Sequence, residues 1–261
     1  MSSVGLLVIA TGRYLDFAED LLGDLDRLVD PSEVVVNLFT DAPAETVASL
    51  GRRHAVGIRA LPVPELRWPE ASLYRYELFS RAAGRIAGDV LVYLDADLRL
   101  RRDLTGLLRP DDWPGGLAAV RHPGFYRRRQ VRPRGTWETR RASRAYVPPW
   151  RRRRYVCGGV WMGTRDAVLS TSERLAARVR EDTAAGVTAR WHDESHWNWW
   201  VAHNRVGLLD PDWCWVPDYP WLDHLDPIVV AVDKGDFQRE PTRREALRDV
   251  VRAEGAAEGD E

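Results

Sequence analysis

The chain has 261 residues, 38 basic against 39 acidic side chains, and two cysteines, Cys157 and Cys214. That length buries a full core without staples, and two cysteines make neither a disulfide framework nor a zinc site, so a reducing, cytoplasmic setting is expected. No signal-peptide pattern is visible, the longest apolar runs fall far short of the roughly 20 residues of a membrane span, and a balanced overall charge with no nucleic-acid module argues against nucleic acid as a partner.

Residues 5–10 are an apolar run that predicts a buried strand. Residues 14–29 place Phe17, Leu21, Leu22 and Leu25 on one helical face. A strand follows over 33–39, then a helix over 44–54 opened by Pro43, a usual start signal. A short strand is predicted over 57–61. Residues 72–87 read as a helix with Leu73, Tyr76, Phe79 and Ala83 on one face, and 90–94 as a strong strand ending at Asp95. Strands alternating with helices predict an α/β fold whose mainly parallel sheet is covered on both faces. Beyond this the pattern loosens. Strands are expected over 117–121, 155–162 and 206–209, and helices over 165–185 and 194–203. Residues 127–154 show no period and read as a loop or surface excursion. Neither a repeat nor a separating linker is present.

Charge is strongly patterned. Residues 121–154 carry thirteen arginines and one acid, Glu138, and a solvated basic face or one that meets anionic lipid or glycan is expected there. Residues 251–261 form an acidic tail with the composition of disorder. Lys234 is the single lysine; among so many arginines it marks a place for a compact ammonium, or is chance.

Asp95-Ala96-Asp97 follows a buried strand, where α/β sheets hold ligands. Two acids one residue apart there can hold a divalent cation bridging to phosphates, or simply solvate a strand end. Residues 189–198 pack two histidines, two carboxylates and two tryptophans together. Aromatic rings take a sugar's apolar face and carboxylates its hydroxyls. His192 and His196, four apart, also share the histidine spacing of a zinc hydrolase, though Asp193 stands where that motif has glutamate. A helix start with His196 packed in the core explains the same spacing. Gly158-Gly159 in an apolar strand reads as a bulge or as close approach by a ligand. Tyr14 suits base stacking or core packing.

These pieces occur in one order. Phe39-Thr40-Asp41, Asp95-Ala96-Asp97, His122-Pro123-Gly124-Phe125-Tyr126, Thr136-Trp137-Glu138, Ala145-Tyr146-Val147-Pro148, Tyr155-Val156-Cys157-Gly158-Gly159 and Trp191-His192-Asp193-Glu194-Ser195-His196 resemble family 6 glycosyltransferases over roughly residues 4–238. The resemblance implies a GT-A fold: one Rossmann-like α/β domain over 1–250, with a mixed sheet, a nucleotide-sugar half over about 1–120 and an acceptor and catalytic half over 121–250. It implies retaining transfer of galactose or N-acetylgalactosamine from a UDP-sugar to a galactoside, glycan or glycolipid, in α-1,3 linkage.

By the same resemblance, Ile9 and Tyr14 hold the uracil and Arg75 binds the donor. Asp95 and Asp97 hold Mn2+ or Mg2+ with the diphosphate. Cys157, Gly158 and Gly159 line the donor sugar, and Gly124, Cys157 and Gly159 occupy the positions that select it. His192 and Asp193 meet donor hydroxyls, and Lys234 the diphosphate. Arg239 stands one residue away from a later basic position. His122 and Trp191 contact the acceptor, and Glu194 is the nucleophile or the stabiliser of an oxocarbenium ion. The chain is similar to short soluble bacterial members, many of which have Asn-x-Asn in place of Asp-x-Asp. Its two aspartates therefore imply metal dependence. The basic 121–154 segment leaves peripheral contact with the inner membrane face open. A zinc hydrolase using His192 and His196, and a non-catalytic glycan-binding module, are the alternatives.

Overall fold

A computed structural model describes residues 3–67, 69–126, 136–217 and 219–232. The elements run β1 (Val4–Ile9), α1 (Tyr14–Leu28), β2 (Val34–Thr40), α2 (Ala44–Arg53), β3 (Gly57–Pro62), α3 (Glu70–Leu73), α4 (Arg75–Arg81), β4 (Val90–Leu94), β5 (Leu98–Leu100), β6 (Leu117–Arg121), β7 (Val156–Thr164), α5 (Arg165–Ala184), α6 (His192–His203), β8 (Gly207–Leu209) and β9 (Val229–Ala231). Seven strands form one sheet in the order β3-β2-β1-β4-β7-β6-β8. The β3-β2-β1-β4 half is parallel, whereas β7 runs antiparallel to both β4 and β6, so the sheet is mixed.

Side chains alternate across each strand, so both faces of the apolar runs are used. Leu6, Val8, Val92 and Leu94 pack on one side with Leu21, Leu22 and Leu25 of α1. Leu7, Ile9, Leu91 and Tyr93 pack on the other with Phe79 of α4, Leu175 of α5 and Trp197 of α6. The fully buried Asn37 of β2 is the polar exception. Its amide donates to Leu6 O and Ala87 O, and its oxygen accepts from Ala87 N, so the chain entering β4 is locked to the sheet.

The single helix predicted over 72–87 is instead two short ones, α3 and α4. Tyr74 breaks them at φ −96°, ψ 7°, in the sparsely populated bridge region. The second ends before Gly84, a poor helix former. The helix predicted from Glu194 begins two residues earlier, at His192. The antiparallel β5-β9 pair is too short to have left a periodic signal. The described residues up to Ala231 form one compact unit, and the acidic tail lies outside the described residues. Among the described residues no helix is long and apolar enough to cross a membrane.

Candidate active site

In the parallel half of the sheet, β2 lies on one side of β1 and β4 on the other. Chain connections therefore diverge between β1 and β4, which opens a crevice at the carboxyl ends of those strands. Ile9 ends β1, Gly12 turns at φ +54° with its N–H donated to Asp41 Oδ1 (2.9 Å), and Tyr14 opens α1 half-buried. Asp95 and Asp97 follow β4, both partly exposed.

Gly158 and Gly159 lie in a bulge and also at the site. Pairing between β6 and β7 passes from Ala119–Trp161 to Arg121–Val156, so β7 carries three extra residues over that interval. The bulge turns Cys157 into the core beside Cys214 and turns the two glycines toward carboxylates. A Cβ on Gly158 would stand 3.0 Å from Asp193 Oδ2, and one on Gly159 2.6 Å from Asp95 Oδ2. Only a residue without a side chain allows that approach. Asp95 N donates to Gly159 O (2.9 Å), which ties the end of β4 to the bulge.

Arg75 is the electrostatic centre. Its side chain, 5% exposed, donates through Nη1 to Gly158 O (2.9 Å) and through Nε to Ser72 O (3.2 Å). It lies 3.3 Å from both Asp193 Oδ2 and Asp95 Oδ1, with its guanidinium 4.4 Å over the Tyr93 ring. Burial pushes Asp193 up to about 7; Arg75 opposes that rise, while the nearby Asp95 and Glu194 charges add to it. Tyr93 donates its hydroxyl to Asp95 Oδ1. Burial holds this phenol well above its usual range, so it remains a donor.

Glu194 sits one residue on, at the start of α6. Its Oε1 accepts from the Tyr155 hydroxyl (2.6 Å) and its Oε2 from Gly158 N (2.9 Å), so both oxygens are oriented by neutral donors. Burial, helped by the Glu194 charge, raises Tyr155 far above the ordinary phenol range and keeps its proton in place. Asn198, one turn later, holds the helix on the strand. Its Oδ1 accepts from Val156 N (2.9 Å), and its Nδ2 donates to Val156 O (2.8 Å) and Glu194 O (2.9 Å). His192 begins the helix at φ +46°, a left-handed conformation uncommon for a side-chain-bearing residue and typical of functional loops. Trp191, 49% exposed, stands beside it.

His122 completes the wall. Its Nδ1 accepts from Gly124 N (3.0 Å), so in the neutral ring the proton is on Nε2. Burial lowers its basicity, against the pull of the Glu194 charge, so the ring is neutral at pH 7. It packs 4.9 Å from Phe125 and 5.5 Å from Tyr155. Glu138 clamps the segment behind. It accepts from Arg140 and from Arg190 N (2.8 Å), which fixes the approach to Trp191.

The structure thus brings Arg75, Asp95, Gly158, Gly159, Asp193 and Glu194 together, with Tyr14, Asp97, His122, Trp191 and His192 on the elements around them. Lys234 and Arg239 lie outside the described residues. His196 does not join His192. It is fully buried with Nε2 3.5 Å from Asp182 Oδ2, and burial lowers it to about 4, so it is a neutral core side chain. Among the described residues no three His, Cys, Asp or Glu side chains are grouped to enclose a metal. Two carboxylates at a strand end do suit a divalent cation that takes its other ligands from a diphosphate and water. Tyr93, Tyr155 and Asn198 carry roles not read from the sequence. Tyr155, next to Val156-Cys157-Gly158-Gly159, is the one that proximity to a motif marked.

The model of glycosyltransferase family 6 matches residues 1–239, and the chain belongs to that family. Its mixed, helix-covered sheet is the GT-A-like fold expected of it. The chain is 32% identical to histo-blood group ABO system transferase 2 of Rattus norvegicus over 82% of its own length and 64% of the relative's. It is 28% identical to globoside alpha-1,3-N-acetylgalactosaminyltransferase 1 of Homo sapiens (82% of this chain, 61% of the relative). Against human alpha-1,3-galactosyltransferase 2 the identity is 28% (89% and 68%). The chain therefore spans less than two thirds of the first two relatives it matches here.

Proposed function

We propose that the protein is a hexosyltransferase that moves galactose or N-acetylgalactosamine from a UDP-sugar to a galactoside in α-1,3 linkage, with retention. The observation that carries this reading is the placement of Glu194. Its carboxylate is held by Tyr155 and Gly158 N between the Arg75–Asp95 side of the crevice and the His122–Trp191 side. The kinship with the rat and human transferases supports it. The bond from the anomeric carbon to the diphosphate oxygen breaks, and one to an acceptor hydroxyl oxygen forms. The acceptor proton leaves with the UDP.

Tyr14 and Ile9 would receive the uracil. Asp95 and Asp97 would hold Mn2+ or Mg2+, which neutralises diphosphate charge when bound. Arg75 organises the acids around that charge, and Asp193 with His192 orients donor hydroxyls. Glu194 sits where a carboxylate either attacks the anomeric carbon or stabilises an oxocarbenium ion. Trp191 and His122 receive the acceptor, and the setting is cytoplasmic. Calorimetry with UDP, with Mn2+ and then with EDTA, tests the donor half. Glu194→Ala should abolish transfer and leave UDP affinity within about threefold, a change below 1 kcal/mol. Loss of UDP binding in that variant, or no UDP binding by the native protein, would overturn the reading.

A further inference from the structure

Trp150 is the most exposed large apolar side chain among the described residues, at 69%. It stands on the 3-10 turn Pro149–Arg151 and is followed by four arginines, residues 151–154. Between Asp112 and Asp166 the chain has one acid, Glu138, which is buried and taken up by Arg140 and Arg190 N. Arg152 donates to Val147 O (2.8 Å) and Arg151 to Ala202 O (3.2 Å), so the turn is anchored to the body by backbone acceptors. Among the described residues no carboxylate pairs with any of the four. Arg153 and Arg154 are exposed.

An unpartnered indole beside uncompensated guanidiniums has the chemistry of the lipid headgroup zone. There an amphipathic ring rests at the boundary and cations meet phosphate. We propose that this turn is a docking surface for an anionic bilayer, with Trp150 seated among the headgroups and Arg153 and Arg154 on lipid phosphates. An anionic polysaccharide would satisfy the arginines but leaves the projecting indole unexplained. The position matters for the acceptor. Arg151 bonds to the end of α6 and Glu194 stands near its start, about 12 Å away at 1.5 Å per residue. On the transferase reading, a docked bilayer presents lipid-linked glycans close to Glu194. The docking itself does not depend on that reading.

The test is co-sedimentation of the full chain with phosphatidylcholine vesicles and with vesicles containing phosphatidylglycerol, at low and raised salt. Binding should require the anionic lipid and weaken with salt. Each arginine near the surface contributes a factor of about five, so R153Q/R154Q should weaken partition about 25-fold. Trp150→Ser should weaken it several-fold, and Arg52→Gln on the distant exposed face of α2 should not. The altered side chains are exposed, so thermal unfolding should be unchanged. No partition onto anionic vesicles would overturn the proposal. So would a Trp150→Ser variant that binds like the native protein while R153Q/R154Q weakens, since that pattern belongs to a basic face attracted to any polyanion. UDP binding, measured in parallel, reports separately on the transferase reading.

Discussion

Replacing Arg75 with methionine tests whether one buried cation holds the site's acids together. The side chain is 5% exposed and faces that of Asp193, 7% exposed, at 3.3 Å. Asp95, also 3.3 Å away, has a side chain 37% exposed and keeps water as an alternative partner. The variant therefore strands Asp193, Gly158 O and, in part, Ser72 O. Removing one member of a buried pair costs about 3–5 kcal/mol when the other stays charged. The pH dependence isolates that part. Asp193 is raised from 3.8 to about 7 in the folded protein, so its contribution to stability is fully present below 3.8 and is lost as pH rises through 7. Without Arg75 its folded value climbs further and the loss with rising pH deepens. At about pH 5.5 the acid is largely protonated in both proteins, and the deficit should shrink to the stranded hydrogen bonds, about 1–3 kcal/mol. At about pH 8.5 it should reach the full 3–5 kcal/mol. Urea unfolding at both pH values measures the difference, and R75M/D193N should recover the pH-dependent part because both partners are then neutral. A deficit that is equal at the two pH values, or below 1 kcal/mol at the higher, would refute the argument.

Two further substitutions separate positioning from folding. Gly159→Ala places a methyl 2.6 Å from the present position of Asp95 Oδ2, so the carboxylate must swing away; Mn2+-dependent UDP binding should weaken at least tenfold, about 1.4 kcal/mol, with little change in melting temperature, and native affinity by calorimetry would count against the placement. Asn198→Ala leaves Val156 N–H and C=O without their side-chain partner in the core, so chemical denaturation should show a loss of about 2–4 kcal/mol; a loss under 1 kcal/mol would mean that α6 is held to β7 by packing alone.

The strands and long helices were legible because both faces of the sheet are covered, so 90–94 could be a run of buried apolar and aromatic side chains and 34–39 apolar but for Asn37. The break at Tyr74 was not legible, since residues 72–83 keep helical spacing on one face across it. Gly158-Gly159 was ambiguous between a bulge and close approach by a ligand or another backbone; it lies in a bulge, and that bulge brings both glycines against the carboxylates of Asp193 and Asp95. The His192/His196 pair shows the opposite limit. Their spacing is correct for two ligands on one face, yet His196 is drawn into the core against Asp182. Tyr93 carried no signal of its own and Tyr155 only its place at the head of a motif, because the importance of each lies in which carboxylate it faces.

The arrangement of charge around the two halves explains why these residues go together. On the Asp95 side stand a permanent cation, Arg75, and two carboxylates, Asp95 and Asp97, of a kind suited to a metal. On the Glu194 side, the donors are a phenol that cannot ionise and a backbone N–H. Among the described residues no cation pairs with Glu194. Neutral donors orient its carboxylate without cancelling its charge, which suits the proposed role of a group facing a developing positive centre. On the proposed reading, Arg75 and a bound divalent ion together would suit the negative diphosphate that departs. Asp193 lies between the two sides: burial pushes its carboxyl up to about 7, Arg75 draws it down, and the Asp95 and Glu194 charges add to the rise. A swap of Tyr155 for a cation would erase this polarity, and the carboxylate best placed for the anomeric carbon would become half of an ion pair.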